Sequence, residues 1–384
     1  MFAEAIRVDG EYAAYPQPAK VALLGSGTVG LAVLQRLSEW RGTPFGRRLN
    51  LVFAANTRLV LHDPDGLDPD RCAADLPNAP RSARRTRSAE VLAALGDRGI
   101  RILIDATADA EVAANHPALL DAGIHVATAC KLAGGTSLSL WRDIRDACER
   151  RGSGFGDRAT VGAGLPLLRS LRELQDGGDR IHAIAGVMSG SLAWLFNRFD
   201  GSRPFSALVR EAQARGYTEP DPREDLSGED VRRKILILAR TAGFPLESDC
   251  VDVASLVPPQ LARLAAAEAM EKLELLDAPL QAKLEAAHRQ GGSLRFVARL
   301  EDGCARVGLE ILNSDDPLAG GRGTDNCVAI WSDRYGQQPL IIQGPGAGAH
   351  VTAAALLDDA LKLNAWAGAR SALRTFPVRN YKAP

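Results

Sequence analysis

The chain has 384 residues, 46 Lys+Arg against 47 Asp+Glu, a formal net charge of −1 and 46% hydrophobic residues. That length can bury a substantial core and predicts two domains. The balanced charge argues against electrostatic binding of nucleic acid, and no apolar run approaches the roughly 18 residues of a membrane span.

Cys72, Cys130, Cys148, Cys250, Cys304 and Cys327 are scattered, with no CxxC and no zinc-like spacing. Free thiols and a cytoplasmic setting are expected. The start, MFAEAIRVDGEYAAYPQP, carries charges where a signal peptide needs an apolar core, and reads as a loosely held lead-in. Lys20–Leu24 predicts a short apolar strand. It runs into Gly25-Ser26-Gly27-Thr28-Val29-Gly30, a GxGxxG, and then a helix over Leu31–Trp40. Strand, glycines and helix in that order predict a dinucleotide site: the glycines admit a pyrophosphate and the helix start offers free N–H groups. The turn residues Gly25, Gly27, Thr28, Val29 and Gly30 are therefore assigned to the cofactor. Leu49–Ala55 predicts the second strand. Its end shows Asn56-Thr57-Arg58 and no carboxylate before Asp63. Arg58 suits a 2′-phosphate or is a plain surface arginine, so the pattern is compatible with NADP and with NAD. The cluster Arg81–Arg87 reads as a solvated basic loop.

Arg101–Ala106 predicts a buried parallel strand, with Thr107-Ala108-Asp109 at its carboxyl end, where ligands sit in open α/β sheets. His125–Thr128 predicts the next strand. Lys131, just past its end, faces the same crevice. Cys130 beside it offers a competing idea, a thiolate nucleophile for an aldehyde. No histidine or helix start adjoins it in sequence to lower its pKa, so it reads as a small inert filler. Leu138–Arg151 predicts a helix closing the first domain.

The second half opens with the glycine-containing turn Ala159–Pro166, whose exposed carbonyls suit a hard cation or a hinge. A helix follows from Pro166 to about Leu174, then a strand over Ile181–Val187 and helices over Ser189–Phe196 and Ser206–Arg215. Gly216–Lys234, GYTEPDPREDLSGEDVRRK, is too acidic and too rich in turn residues for core. Ser227 predicts an N-cap with Asp230 as its capping-box partner, opening a helix to about Gly243. On that helix Asp230, Lys234, Ile237 and Thr241 share a row that begins charged and turns apolar, which predicts that Lys234 lies along the protein. Carboxylates at Glu219, Glu224 and Asp225 around such a lysine suit a charged amino group and a proton transfer. The plain alternative is an exposed Asp–Lys pair. Leu261–Gln290 reads as mostly helical. Leu294–Leu300, Arg306–Ile311, Val328–Trp331 and Pro339–Ile342 predict strands, and Gly344–Gly348 precedes a final helix, Val351–Ala367, expected to fold back onto the first domain. Gly216 and Gly346 are assigned to cofactor contacts.

VGAGLP, GVMSGSLAWLF, GYTEPDPREDLSGEDVRRK and GPGAGAHVTAA, following GSGTVG, resemble homoserine dehydrogenases, notably the dehydrogenase portion of bifunctional aspartokinase–homoserine dehydrogenases. The resemblance covers roughly Lys20 to Gly368. It implies an α/β fold: a Rossmann-type dinucleotide-binding domain over 1–155, with 344–384 folded back onto it, and an α+β catalytic and dimerisation domain over 156–343 with an open mixed sheet. It implies NAD(P)-dependent interconversion of L-aspartate 4-semialdehyde and L-homoserine, a step toward threonine and methionine, by a homodimer. Lys234 is then the general acid/base. Lys131 positions the same substrate oxygen and contacts the cofactor, Glu219 and Asp230 hold the substrate ammonium, and Asp225 supports the site. The chain is expected to be monofunctional, without a regulatory domain for threonine. The family's Pro-Asn before the Lys131 position is Ala129-Cys130 here, and Leu132 stands where a second lysine is frequent. Carbonyls of Val161, Ala163 and Leu165 match a family sodium site, whose acidic side chain is replaced by Arg158, with Asp157 one residue earlier. The rival readings are a semialdehyde enzyme acting through Cys130 and a non-catalytic dinucleotide sensor.

Overall fold

The computed structural model describes residues 18–79 and 88–375. The expected lead-in up to residue 17 and the basic cluster Arg81–Arg87 lie outside the described residues. Two six-stranded sheets organise the rest.

The first sheet is built from β1 (Ala19–Leu24), β2 (Leu49–Ala55), β3 (Val60–His62), β4 (Arg101–Asp105), β5 (His125–Thr128) and β6 (Phe155–Gly156). Their order is β3-β2-β1-β4-β5-β6, with all pairs parallel except the β2–β3 hairpin. The strands are apolar at successive residues because helices cover both faces. Thus Val21 and Leu23 pack with Leu34 and Ile104 on one face, while Ala22 and Leu24 pack with Phe53 and Leu103 on the other. β3 and β6 are too short to show a period, and the sequence did not reveal them.

The final helix, Ala349–Thr375, is longer than expected at both ends. Ala353, Leu356, Leu357 and Ala360 join the core cluster of Val21, Leu23 and Leu34, so this helix does return to the first sheet. Arg48 donates to Leu361 O, and Asn364 donates back to Arg48 O, each at 2.8 Å.

The second sheet runs β12-β11-β7-β9-β10-β8, from β7 (Ile181–Val187), β8 (Val251–Val253), β9 (Ser293–Glu301), β10 (Cys304–Leu312), β11 (Asp325–Ser332) and β12 (Leu340–Pro345). It is mixed, since β8 pairs parallel with β10 and the other pairs are antiparallel. Leu261–Gln290 is mostly helical, as expected, but in several pieces. It breaks into Pro259–Ala262, Ala266–Glu271, a 3₁₀ turn Leu273–Leu276 and a helix Asp277–Arg289. The breaks let Leu261, Leu273, Leu276 and Leu280 all reach the core. The Asp277 carboxylate anchors the last piece by accepting from Ser206 N and Oγ at 2.7 and 2.8 Å.

Candidate active site

Where the first sheet's order reverses, β1 and β4 lie side by side, and their carboxyl ends open a crevice of about 620 Å³. Gly25, Gly27, Arg58, Thr107, Asp109 and Asn56 are among its lining residues. The three glycines do different work. Gly25 sits at φ +95, where a Cβ would lie 2.7 Å from Ala106 O. A Cβ on Gly30 would lie 2.0 Å from Gly25 O, so this glycine seats the helix on the turn. Gly27 has nothing within 4 Å of an added Cβ and is the open face. It is also the N-cap of helix Thr28–Glu39, with no side-chain cap, which leaves the first-turn N–H groups free for a phosphate. These features fit a dinucleotide. Thr28, Val29 and Gly30 lie in the first turn of that helix.

At the end of β2, Asn56 replaces the usual acid. Its amide donates to Ser26 Oγ and Leu76 O, both at 2.7 Å, while its Oδ1 accepts from the backbone N–H of Arg58 and Leu59. Asn56 therefore shapes the turn that presents Arg58. The Arg58 guanidinium donates to Pro77 O at 2.9 Å.

A buried network ties the crevice wall to the Lys131 loop. Asp105, at the end of β4, accepts from Thr107 N, Thr107 Oγ1 and Thr128 Oγ1 at 2.7–2.9 Å, and lies 3.1 Å from His116 Nε2. Thr128 Oγ1 in turn accepts from Cys130 N at 2.9 Å. Lys131 itself is the N-cap of a short helix, Leu132–Gly135.

Lys234 comes from the second half, on helix Glu229–Thr241, and is buried. That helix does not use the expected capping box. Gly228 is its N-cap at φ 79, and Ser227 Oγ accepts from Glu229 N at 3.2 Å one residue outside. The left-handed turn at Gly228 places Asp230 in the first turn, with its carboxylate free for other partners. Lys234 Nζ lies 2.9 Å from Asp230 Oδ2 and donates to Met188 O at 2.7 Å. Lys131 Nζ lies 3.3 Å from Asp230 Oδ1. One carboxylate thus bridges lysines from the two halves. Partial burial pushes the Asp230 carboxyl up, but the ammonium groups of Lys234 and then Lys131 outweigh it and hold the group well below the usual carboxylate range.

Two further carboxylates adjoin this pair. Asp225 accepts from Ser191 Oγ at 2.7 Å and from Glu219 N at 2.8 Å, and Ser189 and Ser191 hydroxyls are 2.9 Å apart. Burial raises Asp225, partly offset by the bonds from the Ser191 hydroxyl and the Glu219 N–H. Burial and then the charges of Asp225, Glu224 and Asp230 raise Glu219. A cluster of acids that resist ionisation together is stabilised by an incoming cation such as an ammonium group. Ser189 and Ser191 were read as a helix start and, with Met188, as part of the motif GVMSGSLAWLF, but none was assigned a site role; a carbonyl acceptor has no side-chain signature in sequence.

Other assigned residues fall elsewhere. Lys131, Gly216 and Gly346 do not line the crevice described above. Gly216 ends the helix before the acidic stretch at φ +70, with open space around it, and Gly346 packs on the Asn326 side chain. In the Val161–Leu165 turn, Gly162 and Ala163 have φ of 70 and 48, and Leu165 O already accepts from Leu167 N at 2.8 Å. Asp157 is held by both Nη atoms of Arg172, and Arg158 by Asp359. A cation at Val161, Ala163 and Leu165 would rest on backbone carbonyls alone. Among the described residues no group of three or more His, Cys, Asp or Glu could hold a metal. Cys130 is buried, and burial followed by the Asp105 charge pushes its thiol up to about 12, which disfavours a thiolate.

The fold and crevice define a two-part α/β protein with a dinucleotide-binding half. The profile described as homoserine dehydrogenase, NAD binding domain, matches residues 25–155, and the profile described as homoserine dehydrogenase matches residues 166–361. The chain is 36% identical over 365 residues to the homoserine dehydrogenase of Emericella nidulans, covering 90% of this chain and 98% of that one. It is 40% identical over 347 residues to bifunctional aspartokinase/homoserine dehydrogenase 2 of Escherichia coli, covering 89% of this chain but only 43% of that protein's length. A crystal structure of a Candida auris protein of unknown function superposes with a TM-score of 0.82 at 35% identity, covering 90% of this chain and 98% of that one. The chain belongs to the homoserine dehydrogenase family.

Proposed function

We propose that this chain reversibly interconverts L-homoserine and L-aspartate 4-semialdehyde with NAD or NADP, with Lys234 as general acid/base. The observation that carries the reading is the Asp230 carboxylate shared by Lys131 and Lys234. An ammonium group has three donors. Lys234 spends one on Met188 O and one on Asp230, which leaves one N–H for the substrate oxygen. A bound nicotinamide supplies or accepts the hydride at the adjoining carbon. Lys131 supports the same oxygen, and the pair of cations stabilises a developing alkoxide.

Glu219 and the unused lone pairs of Asp230 take the substrate ammonium, while Asp225 fixes the Glu219 backbone. Gly25, Gly27, Thr28, Val29 and Gly30 hold the pyrophosphate, with Arg58 and Thr107 along the crevice and Lys131, Gly216 and Gly346 completing the cofactor contacts. The reading includes a binding domain over 1–155 joined by 344–384, a catalytic domain over 156–343, and a cytoplasmic homodimer. The exposed Ile341 on edge strand β12 supports a partner on the second sheet. No described helix is long and apolar enough to cross a membrane.

The test is homoserine oxidation followed at the reduced-nicotinamide band with NAD and with NADP. Lys234→Ala is expected to lower turnover by about 100-fold or more with cofactor affinity kept. No turnover by the wild type with either cofactor would remove the reading. Cys130→Ser is expected to stay active; its inactivity would favour a covalent route instead.

A further inference from the structure

Arg240 heads the fully buried side chains by volume among the described residues. It sits near the end of helix 229–241, on the helix that carries Lys234. A guanidinium in a core is costly unless each donor is met. Here they are met by main-chain carbonyls. Nε and Nη2 donate to Leu246 O at 3.0 and 2.9 Å. Nη1 donates to Gly134 O at 2.7 Å and Ser137 O at 3.3 Å, and Nη2 to Thr136 O at 2.7 Å. Burial draws its pKa down to about 10, so it stays charged at neutral pH.

The partners of Arg240 are not spread at random. Gly134, Thr136 and Ser137 belong to the loop that begins at Lys131. That loop is stiff: Gly135 N donates to Lys131 O at 2.7 Å and Thr136 Oγ1 to Leu132 O at 2.6 Å. It is also pressed onto the Lys234 helix. A Cβ on Gly135 would lie 2.9 Å from Arg233 O and Cβ, and one on Gly134 would lie 3.2 Å from Ile237 Cγ1. Arg233 immediately precedes Lys234 in the chain. An apolar side chain would fill the core at Arg240 but would hold none of these carbonyls.

We propose that Arg240 is a positioning residue for the reaction: its grip on residues 134–137, with the glycine seam beside it, fixes Lys131 against the helix that carries Lys234. The proposal rests on the reading of Lys131 and Lys234 given above. Displacing a reacting group by about 1 Å can cost about 100-fold in rate, so the clamp acts on turnover and not only on stability.

The experiment is a set of cycles in the full chain. Arg240→Met, Arg240→Lys and Gly135→Ala are each made alone, and Arg240→Met and Gly135→Ala also with Lys131→Met. Turnover is expressed per cofactor site titrated by fluorescence, which removes any unfolded fraction. Arg240→Met and Gly135→Ala are each expected to lower kcat by about 10- to 100-fold. Cofactor Kd should change by less than kcat does, because the glycine crevice is untouched and only the Lys131 contact is moved. Arg240→Lys should recover part of the loss by holding one carbonyl. With Lys131→Met in place, the added loss should shrink to under about threefold, since the group being positioned is gone.

Equal losses in both backgrounds would overturn the proposal, as would full turnover in Gly135→Ala. If Arg240→Met does not fold, the Gly135→Ala cycle decides alone, because it removes no polar group. A Lys131→Met enzyme with wild-type turnover would overturn the underlying reading and this proposal with it. That result is told apart because the background variant is then itself silent.

Discussion

The carboxylate of Asp230, on a helix of the second half, reaches the ammonium of Lys131 in the first half, 3.3 Å away. Its other oxygen holds Lys234 at 2.9 Å. The two halves are joined at this side chain by charge, as they are at Arg240 by hydrogen bonds to residues 134–137. Without it, two ammonium groups would face each other with no charge between them.

Asp230→Asn keeps the shape and removes that charge. The expected result is a fall in kcat/KM of about 100-fold, since both lysines lose the group that orients them. Stability should follow the linkage sign for a carboxyl whose folded pKa is depressed below its ordinary value of 3.8. The stabilisation is present above that value and is lost as pH falls through the folded pKa. Thermal melts of wild type and variant should differ by a constant amount near neutral pH and converge only in strong acid. A gap independent of pH down to that range would contradict the shared-charge account.

Gly27→Ala and Gly30→Ala separate binding from folding. The added Cβ at Gly27 meets nothing within 4 Å, so the fold should be kept while the pyrophosphate path is blocked. Cofactor Kd is expected to rise by about tenfold or more, with an unchanged melting point. At Gly30 the Cβ falls 2.0 Å from Gly25 O, and overpacking of this kind costs about 1–3 kcal/mol. Calorimetry and fluorescence titration of the pair check the contrast.

Arg58→Ala addresses cofactor choice. Arg58 lines the crevice beside Asn56, which stands at the end of β2 where a ribose-binding acid is usual. Losing its charge should weaken NADP relative to NAD by about tenfold, one charge-assisted hydrogen bond to a phosphate. Equal kcat/KM ratios before and after the change would release Arg58 from that role.

Asp359→Asn probes the joint between the final helix and the second half. Burial and then the charge of Asp157 push the Asp359 carboxyl up from 3.8 to about 6, although Arg158 opposes this. With the folded pKa raised, its contribution to stability is full below the unfolded value and is lost as pH rises through about 6. Two pKa units correspond to about 3 kcal/mol. Urea melts should show the variant gaining on the wild type as pH rises from about 4 to about 6 and holding steady above that. A flat difference would mean that Asp359 ionises normally.

Much of this was legible in the residues. GSGTVG behind KVALL specifies a strand, a turn needing left-handed glycine and a helix start, because only those elements satisfy both the apolar run and the glycine spacing. The row Asp230, Lys234, Ile237 marked a lysine lying along the protein, and Lys234 is buried. Local rules failed where long-range contacts decided. Ser227 and Asp230 had the spacing of a capping box, but Gly228 took the cap and Asp230 took the lysines. The segment after Leu261 is mostly helical, as expected, and only its division into pieces, which lets Leu273, Leu276 and Leu280 reach one core, was not visible.

By itself the sequence determined the dinucleotide turn, most of the strands, the family and the acidic stretch around Lys234, since each is written in short-range spacing and side-chain type. Only the tertiary structure decided that Lys131 and Lys234 share one carboxylate, that Met188 O and the serines join them, and that Arg240 grips the Lys131 loop. Most of those contacts join residues far apart in the chain, from 34 positions for Ser191 and Asp225 to 106 for Arg240 and Gly134, many through backbone carbonyls. A carbonyl is the same group at every position, so the chain's letters cannot mark which ones will be used.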